Sequence, residues 1–536
     1  MLRARGSRKA VVGPTPSLVA VLVLTLLVVT VAGAQPPYQE HGTVGGSGTS
    51  GGSATGGSTT ESSSTGSGIP ELPPPDPHPD PVNTAACKSH GTSSPYDPTY
   101  AAFESSLVGP RGGSGLTIED QVEFHHLGGA SISIIEGGQI TQNHWYGCRD
   151  RAAGIRNTAS TIYQTASLSK FVSAVGLTVA HRQGAVGLGR SMQSYAESYP
   201  NSLLAEWVDE NFDDGATLYP ASITIRRLLN HSGGLDTSSI GAWEDDVPTL
   251  RDVILGASGY GGRYTGGVEP IHTPKTQIEY SGGGYIVAEH VLELASSVAF
   301  KDYLRQHVLD AAGMWLSTFD KAQSWMTNLA RPFSRAPASS DVLQTNVKAA
   351  GGLLANAREY AELVTAIVNG GLTYSGYQVM LQSDLDEILT PAAHSRSSFE
   401  PCAAPGATRS ITHTIELAPN LSKANDIGEF LNEPIQWSTT ETCVAGQYRE
   451  VLLDDSRWRG LGVKLKTTVE PDGYPRIVEH SGAQTGARTY FQIDRRTGDG
   501  IVTMINGQDE WVDGNGFTYG ADPLLDEIRD AYDATY

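Results

Sequence analysis

Ser167 and Lys170 stand three residues apart at the start of "SLSKFVSAVGLTVAHRQG". The chain has ten lysines, and no other has a serine three places before it. At that spacing on a helix the two side chains share a face, so hydroxyl and amine are neighbours. A serine hydroxyl is a poor nucleophile until a base or a cation helps it lose its proton. A lysine one turn away serves if burial keeps it partly neutral. A helix N-terminus adds backbone N–H groups and partial positive charge where an oxyanion would form. The pair is sufficient for attack on a carbonyl. Taken alone, it is also a spacing that arises about once by chance in such a chain.

Two further boxes carry chemistry. In "EYSGGGY", Tyr280 precedes Ser281 and Gly282 in a run of glycines that lets backbone approach a ligand. A phenol beside a lysine cation gives up its proton more readily and can relay one to a leaving group. In "VEHSGAQTGARTYF" a strand ends at His480, Ser481 and Gly482, followed by Ala483. An edge strand beside a nucleophile can offer a backbone N–H to the oxyanion, here that of Ala483. His480 could orient a substrate carboxylate or share protons. Each box also has a plain reading: a tyrosine closing a loop, and a strand-end histidine facing solvent. Other hydrolytic signatures are missing. The G-x-S-x-G match at Gly48–Gly52 lies in a glycine/serine tract that cannot form a nucleophile elbow, and there is no H-E-x-x-H.

The elements that must position these boxes are legible around them. "ASISIIE" and "QITQNHWYG" alternate like strands about Gly137-Gly138, a hairpin signal. The Ser167 helix follows, with Gly184 as its stop. Residues from about 185 to 395 read as helix and loop, including "ITIRRLLNHSGGL", "GGYIVAEHVLELASSVAFKDYLRQHVLDAAGM" and "AREYAELVTAIVNGG". The chain then returns to strands in "GLGVKLKTTV", "YPRIVEHSG", "ARTYFQID" and "GIVTMIN", and ends in the helical "DPLLDEIRDAYDATY". The expected fold is α/β of the α+β kind. An antiparallel sheet is built from N- and C-terminal strands and flanked by helices, with a mostly helical lobe inserted. About 391–457 shows weak patterning and reads as an insertion.

The 536 residues carry a net charge of −21. Arg3, Arg5, Arg8 and Lys9 precede the apolar Leu18–Ala32, and "AGA" follows at Ala32–Ala34, so 1–34 reads as an export signal cleaved after Ala34. The apolar run is short for a membrane span, which needs about 20 residues. A membrane is a partner only if this segment is retained. Cleavage removes four positive charges and no negative ones, leaving −25. A chain so acidic does not seek nucleic acid. Residues 35–84 are a glycine/serine/threonine tract and a proline-rich stretch, an extended spacer spanning about 40 Å as a coil. The globular body is 85–536. Cys87, Cys148, Cys402 and Cys443 make an even count in an exported chain and favour disulfides, by proximity Cys87–Cys148 and Cys402–Cys443.

In order and setting, the three boxes resemble the serine β-lactamase and penicillin-recognising family, nearest its branch of class C β-lactamases, DD-peptidases and related esterases. "LLNHSGGL" (228–235), "AAGGLLANAREYAEL" (349–363) and "GLGV" (460–463) resemble recurring segments of that branch. The resemblance covers most of 120–510. It implies that Ser167 carries the acyl group, that Lys170 activates it, and that Tyr280 is the general base and then protonates the leaving group. His480 joins them in the catalytic set. The N–H groups of Ser167 and Ala483 form the oxyanion hole, and Ser281, Gly282, Ser481 and Gly482 line the substrate. It implies no metal and no cofactor, and a small-molecule or peptide substrate. His231 is expected to shape its loop rather than touch substrate.

Two departures bear on specificity. Gly282 stands where many members carry an asparagine that holds the substrate amide. His480 stands where lactam-hydrolysing members have lysine, and histidine is mostly neutral at pH 7. Both favour ester, peptide or D-amino-acid amide hydrolysis over β-lactam or DD-peptide turnover. The competing reading is a catalytically inactive relative kept as a binding or scaffolding protein.

Overall fold

A computed structural model describes residues 88–536 except 110–115, 213–219, 237–246, 258–266, 272–273, 275–277, 323–325, 334–341, 343–344, 391–393, 400–407, 417–434, 443–456, 470–474, 508–510 and 513–517. The segments read as export signal and spacer, with Cys87, Cys402 and Cys443, lie outside the described residues. Cys148 is wholly buried and is not a free thiol.

Eleven strands form the path of the main sheet: β1 (His90–Thr92), β2 (Gly129–Glu136), β3 (Gln139–Asp150), β4 (His394–Phe399), β5 (Thr408–Glu416), β6 (Ile435–Thr442), β7 (Arg457–Arg459), β8 (Lys464–Val469), β9 (Pro475–Gln484), β10 (Ala487–Asp494) and β11 (Gly500–Asn506). Their order is β1-β3-β2-β11-β10-β9-β8-β7-β4-β5-β6, and Ile155–Arg156 adds a twelfth strand beside β3. Every neighbouring pair is antiparallel. The β2–β3 hairpin turns at Gly137 and Gly138, which adopt φ +56° and +76°, conformations that glycine takes without steric cost. β2 pairs with β11, so the two ends of the chain close one sheet, as the pattern of strands implied. The weakly patterned 391–457 segment contributes β4, β5 and β6, which extend the sheet beyond β7.

Alternation along the central strands gives the sheet two apolar faces. Val502 and Met504 of β11 join Phe491 and Ile493 of β10 in a core shared with α1 (Ser169–Arg182), α3 (Gly282–Ser296) and α4 (Ala357–Thr365). Ile501 and Ile505 point the other way, with Ile132 and Ile134 of β2, onto Leu524, Ile528 and Tyr532 of the C-terminal α5 (Ala521–Thr535). The short α2 (Ile225–Leu229) and its following loop pack into the first core through Leu228 and Leu229. Helices thus cover both faces. The site lies where α1, the loop entering α3 and the edge of β9 converge. Among the described residues no helix is long and apolar enough to cross a membrane.

Candidate active site

The serine of the first box does not sit on the α-helix itself. Ala166–Leu168 form one 3₁₀ turn and the α-helix begins at Ser169. Ala166 is held at φ +48°, a left-handed conformation unusual for a residue with a Cβ. The bend is pinned from behind. Thr165 bonds the Leu353 carbonyl through N (3.0 Å) and Oγ1 (2.9 Å), and Tyr360 Oη donates to the Leu168 carbonyl at 2.9 Å. Backbone strain of this kind persists only where the surroundings fix it.

Ser167 is half-buried, and its Oγ accepts from two directions. Tyr280 Oη donates at 2.7 Å and Lys170 Nζ at 3.2 Å. Lys170 is 1% exposed, and Nζ also donates to the Ala350 carbonyl at 2.6 Å. The ammonium lies 4.9 Å from the Tyr280 ring centre and 5.5 Å from that of Tyr285, where ring faces favour a cation. Hydroxyl, amine and phenol, the last more than a hundred residues from the other two in sequence, share one cleft.

Tyr280 is the last residue before the cap of α3. Ser281 is that N-cap: its Oγ accepts from Gly284 N at 2.9 Å and donates to the Asp236 carbonyl at 2.6 Å. Ser281 is 4% exposed, and these bonds occupy its hydroxyl. The residue expected to line the substrate therefore fixes the helix start instead. Gly282 is buried in the first turn. His231, at φ +64°, accepts the Ser281 N–H on Nδ1 at 3.1 Å, and its ring lies 4.5 Å from the Tyr280 ring. Burial first, then the charges of Arg459 and Lys170, hold its pKa well below the ordinary 6.5. His231 is a neutral support under the phenol, consistent with the loop-shaping role expected of it.

On the opposite wall, β9 passes very close to the nucleophile turn. A Cβ on Gly482 would stand 2.4 Å from the Thr165 carbonyl oxygen, 2.3 Å from Thr489 Oγ1 and 3.1 Å from Ser167 N. Only glycine fits, and it lets Thr489 reach past β9 to bond the Thr165 carbonyl at 2.8 Å. Ala483 follows at the exposed rim. His480 is 1% exposed, with Nδ1 donating to the Ser481 carbonyl at 2.7 Å and Nε2 without a hydrogen-bond partner among the described residues. Burial, then Lys464 and Lys170, lower its pKa well below 6.5, so it offers no positive charge to a carboxylate.

Some functional positions escape a reading of the sequence. Lys464 of β8 donates to Ser481 Oγ at 3.4 Å, bringing a cation to the wall where His480 is neutral. Its one signal is a lysine opening the strand in "GLGVKLK". Gly462 of the same stretch, at φ +71°, lies so close to α1 that a Cβ would be 2.6 Å from the Lys170 carbonyl.

Known proteins resemble the chain in sequence and in fold. Penicillin-binding protein 4* of Bacillus subtilis is 24% identical over 203 residues, 36% of this chain and 38% of that protein. Unguisins hydrolase ungD' of Aspergillus campestris is 22% identical over 300 residues, 52% of each chain. The chain thus spans between 38% and 52% of the length of these relatives. D-amino acid amidase from Ochrobactrum anthropi SV3, complexed with L-phenylalanine, has a TM-score of 0.51 at 17% identity over 82% of this chain and 99% of its own, a likeness of fold. Residues 116–522 match the family described as Beta-lactamase, and on a match covering well over half its length the chain belongs to that family.

Proposed function

We propose that this protein is an exported serine hydrolase that cleaves an ester, peptide or amide bond through an acyl-enzyme on Ser167. The convergence of Tyr280 Oη and Lys170 Nζ on a single serine oxygen carries the reading. For attack, the Tyr280–Ser167 hydrogen bond reverses: Tyr280 Oη, once deprotonated, takes the Ser167 proton while Oγ bonds the carbonyl carbon, and the neighbouring Lys170 Nζ stabilises the negative charge at both oxygens. The carbonyl oxygen gains charge beside the N–H groups of Ser167 and Ala483, which the glycine at 482 allows to approach one another. Collapse breaks the bond to the leaving group, which receives the proton from Tyr280. Water then attacks the acyl carbon, giving its proton to the same phenolate. Ser167 leaves with a proton returned, and the product acid is released.

Two observations support a substrate other than a β-lactam: glycine at 282, and the amidase and hydrolase names among the proteins the chain resembles. Lys464 beside Ser481 favours substrates with an anionic group on that side, such as the C-terminal carboxylate of a peptide. The apolar leader, the spacer and the even cysteine count support export, which sequencing of the mature N-terminus checks after Ala34.

The test is covalent. A fluorophosphonate or activated ester should label Ser167, Ser167→Ala should take no label, and its turnover should fall at least about a thousand-fold. Label elsewhere, or equal labelling of the alanine variant, sinks the assignment. No label on either protein supports the binding-protein reading. A panel of simple esters, D-amino-acid amides, D-alanyl peptides and nitrocefin then orders the substrates.

A further inference from the structure

We propose that Glu289 on α3 is a positioning residue for Lys170, acting through the backbone turn at Lys348–Gly352. The proposal rests on the reading of Ser167 and Lys170 as the acyl-transfer pair. Glu289 is 2% exposed and lies among the apolar core residues Ala288, Val291 and Leu292. A buried carboxyl in such surroundings is costly unless it is hydrogen-bonded. Its Oε2 accepts both the Lys348 N–H and the Ala349 N–H, each at 2.7 Å.

Those two N–H groups head a tight turn. Gly351 N and Gly352 N return to the Lys348 carbonyl at 3.2 and 2.8 Å, and a Cβ on Gly352 would stand 2.8 Å from Lys348 Cα. The next two carbonyls of the turn face α1. Ala349 O accepts from Ser173 Oγ at 2.8 Å, and Ala350 O accepts from Lys170 Nζ at 2.6 Å. The Ala349 residue is therefore fixed at both its N–H and its carbonyl, and the acceptor that aims Lys170 is one peptide further on. Without Glu289, two buried N–H groups lose their acceptor, which drives the turn to rearrange. The Ala350 carbonyl moves with it, and Lys170 loses the bond that holds Nζ 3.2 Å from Ser167 Oγ.

Burial pushes the Glu289 carboxyl up to about 8, against the two N–H bonds and Lys348, which favour its charged form, and with Glu293, which opposes it. Near pH 7 the group is therefore mostly the neutral acid. A glutamine matches that form: its amide oxygen can accept the same two N–H groups.

The experiment uses the full chain with an activated ester, comparing Glu289→Ala and Glu289→Gln with the unmodified protein. The alanine variant should lose about ten- to a hundred-fold in kcat. Its KM should stay within about twofold, and its pH–kcat profile should shift because the lysine environment has changed. The glutamine variant should return to within about threefold of the unmodified kcat. An alanine variant with unchanged kcat overturns the proposal. So does a glutamine variant as impaired as alanine, or a loss shared equally by kcat and KM without a shifted profile. Should the alanine variant not fold, Glu289→Asp, one methylene too short to reach both N–H groups, takes its place with the same expected outcomes. Ser167→Ala run in parallel separates the two failures. Labelling that survives in it defeats the acyl-enzyme reading, whereas labelling lost there beside a fully active Glu289→Ala defeats only the positioning role.

Discussion

At Ser167 the oxygen is gripped from two sides, by Tyr280 at 2.7 Å and Lys170 at 3.2 Å, and each partner is itself braced by buried groups. Across the cleft, β9 between His480 and Ala483 is held as backbone, while its outward side chains have looser partners. Ser481 is half-buried with Lys464 at 3.4 Å, and Ala483 is exposed. On the proposed function, one wall is a fixed acyl-transfer device and the other an adjustable substrate edge. In a relative that has lost activity, nothing maintains the first wall, and its intact wiring is therefore the stronger argument for chemistry. The second wall is where specificity can change without dismantling the nucleophile, as histidine at 480 exemplifies.

If that contrast is right, damage to the first wall lowers kcat, and damage to the second alters which substrates bind. Short of removing Ser167 itself, Tyr280→Phe should have the largest effect. It removes the proton relay and one bond to Ser167 Oγ while leaving the ring over His231. We expect kcat to fall by about 10²–10⁴-fold with KM within a few-fold, read from steady-state ester hydrolysis. Comparable losses in KM would mean that the phenol binds substrate instead of moving protons.

Gly482→Ala tests the seam between the walls. The new methyl meets Thr489 Oγ1 at 2.3 Å and the Thr165 carbonyl at 2.4 Å, neither at the end of a flexible chain. β9 must back away from the nucleophile turn, carrying the Ala483 N–H with it. A displacement near 1 Å costs about a hundred-fold in kcat. Acylation rates at saturating activated ester measure it, and an alanine variant of undiminished rate would remove Ala483 from the oxyanion hole.

Lys464→Met keeps much of the stem and removes the charge from the substrate edge. For a substrate bearing a carboxylate, KM should rise by about ten- to a hundred-fold, the range for a lost charge-assisted bond. A neutral ester should be cleaved as before. Equal effects on both substrates would show that Lys464 supports the fold and not specificity.

Much of this is readable in the chain, for reasons that also mark the boundary. The nucleophile, its lysine and the phenol lie in short segments whose neighbours give away the local element: Gly184 after α1, and a capping serine before α3. The two-ended sheet is legible because β2, β10 and β11 carry strand patterning at opposite ends of the body. What resists are contacts made by tertiary approach. Ser281 is identical in sequence whether it caps a helix or faces a ligand, and only the distance to Asp236 decides. Glu289 reads as a polar position in an apolar helix until the turn at 348–352 folds onto it. Lys464 borders the site through strand pairing that no local pattern encodes. β4 to β6 are polar strands with little alternation, and pairing alone makes them part of the sheet.

The smallest effect expected is in stability and comes from His480 on the substrate edge. Its folded pKa is depressed well below 6.5 by burial, then Lys464 and Lys170, while the unfolded chain titrates at the ordinary value. Above about pH 6.5 both states carry a neutral ring, and the contribution to stability is intact. As pH falls, the unfolded chain binds a proton that the folded one refuses, and stability declines by about 1.4 kcal/mol per pH unit until the folded pKa is reached. His231, depressed in the same way, adds a similar slope to the unmodified protein. His480→Asn supplies an amide donor for the Ser481 carbonyl and does not titrate, which isolates one histidine from the other. Denaturant midpoints from pH 7.5 down to 5.5 should fall more steeply for the unmodified protein than for the variant, with the curves parallel above about pH 7. Parallel curves throughout would mean that His480 titrates normally in the fold. The ring would then be protonated at mildly acidic pH, and the adjustable wall would hold a second cation beside Lys464.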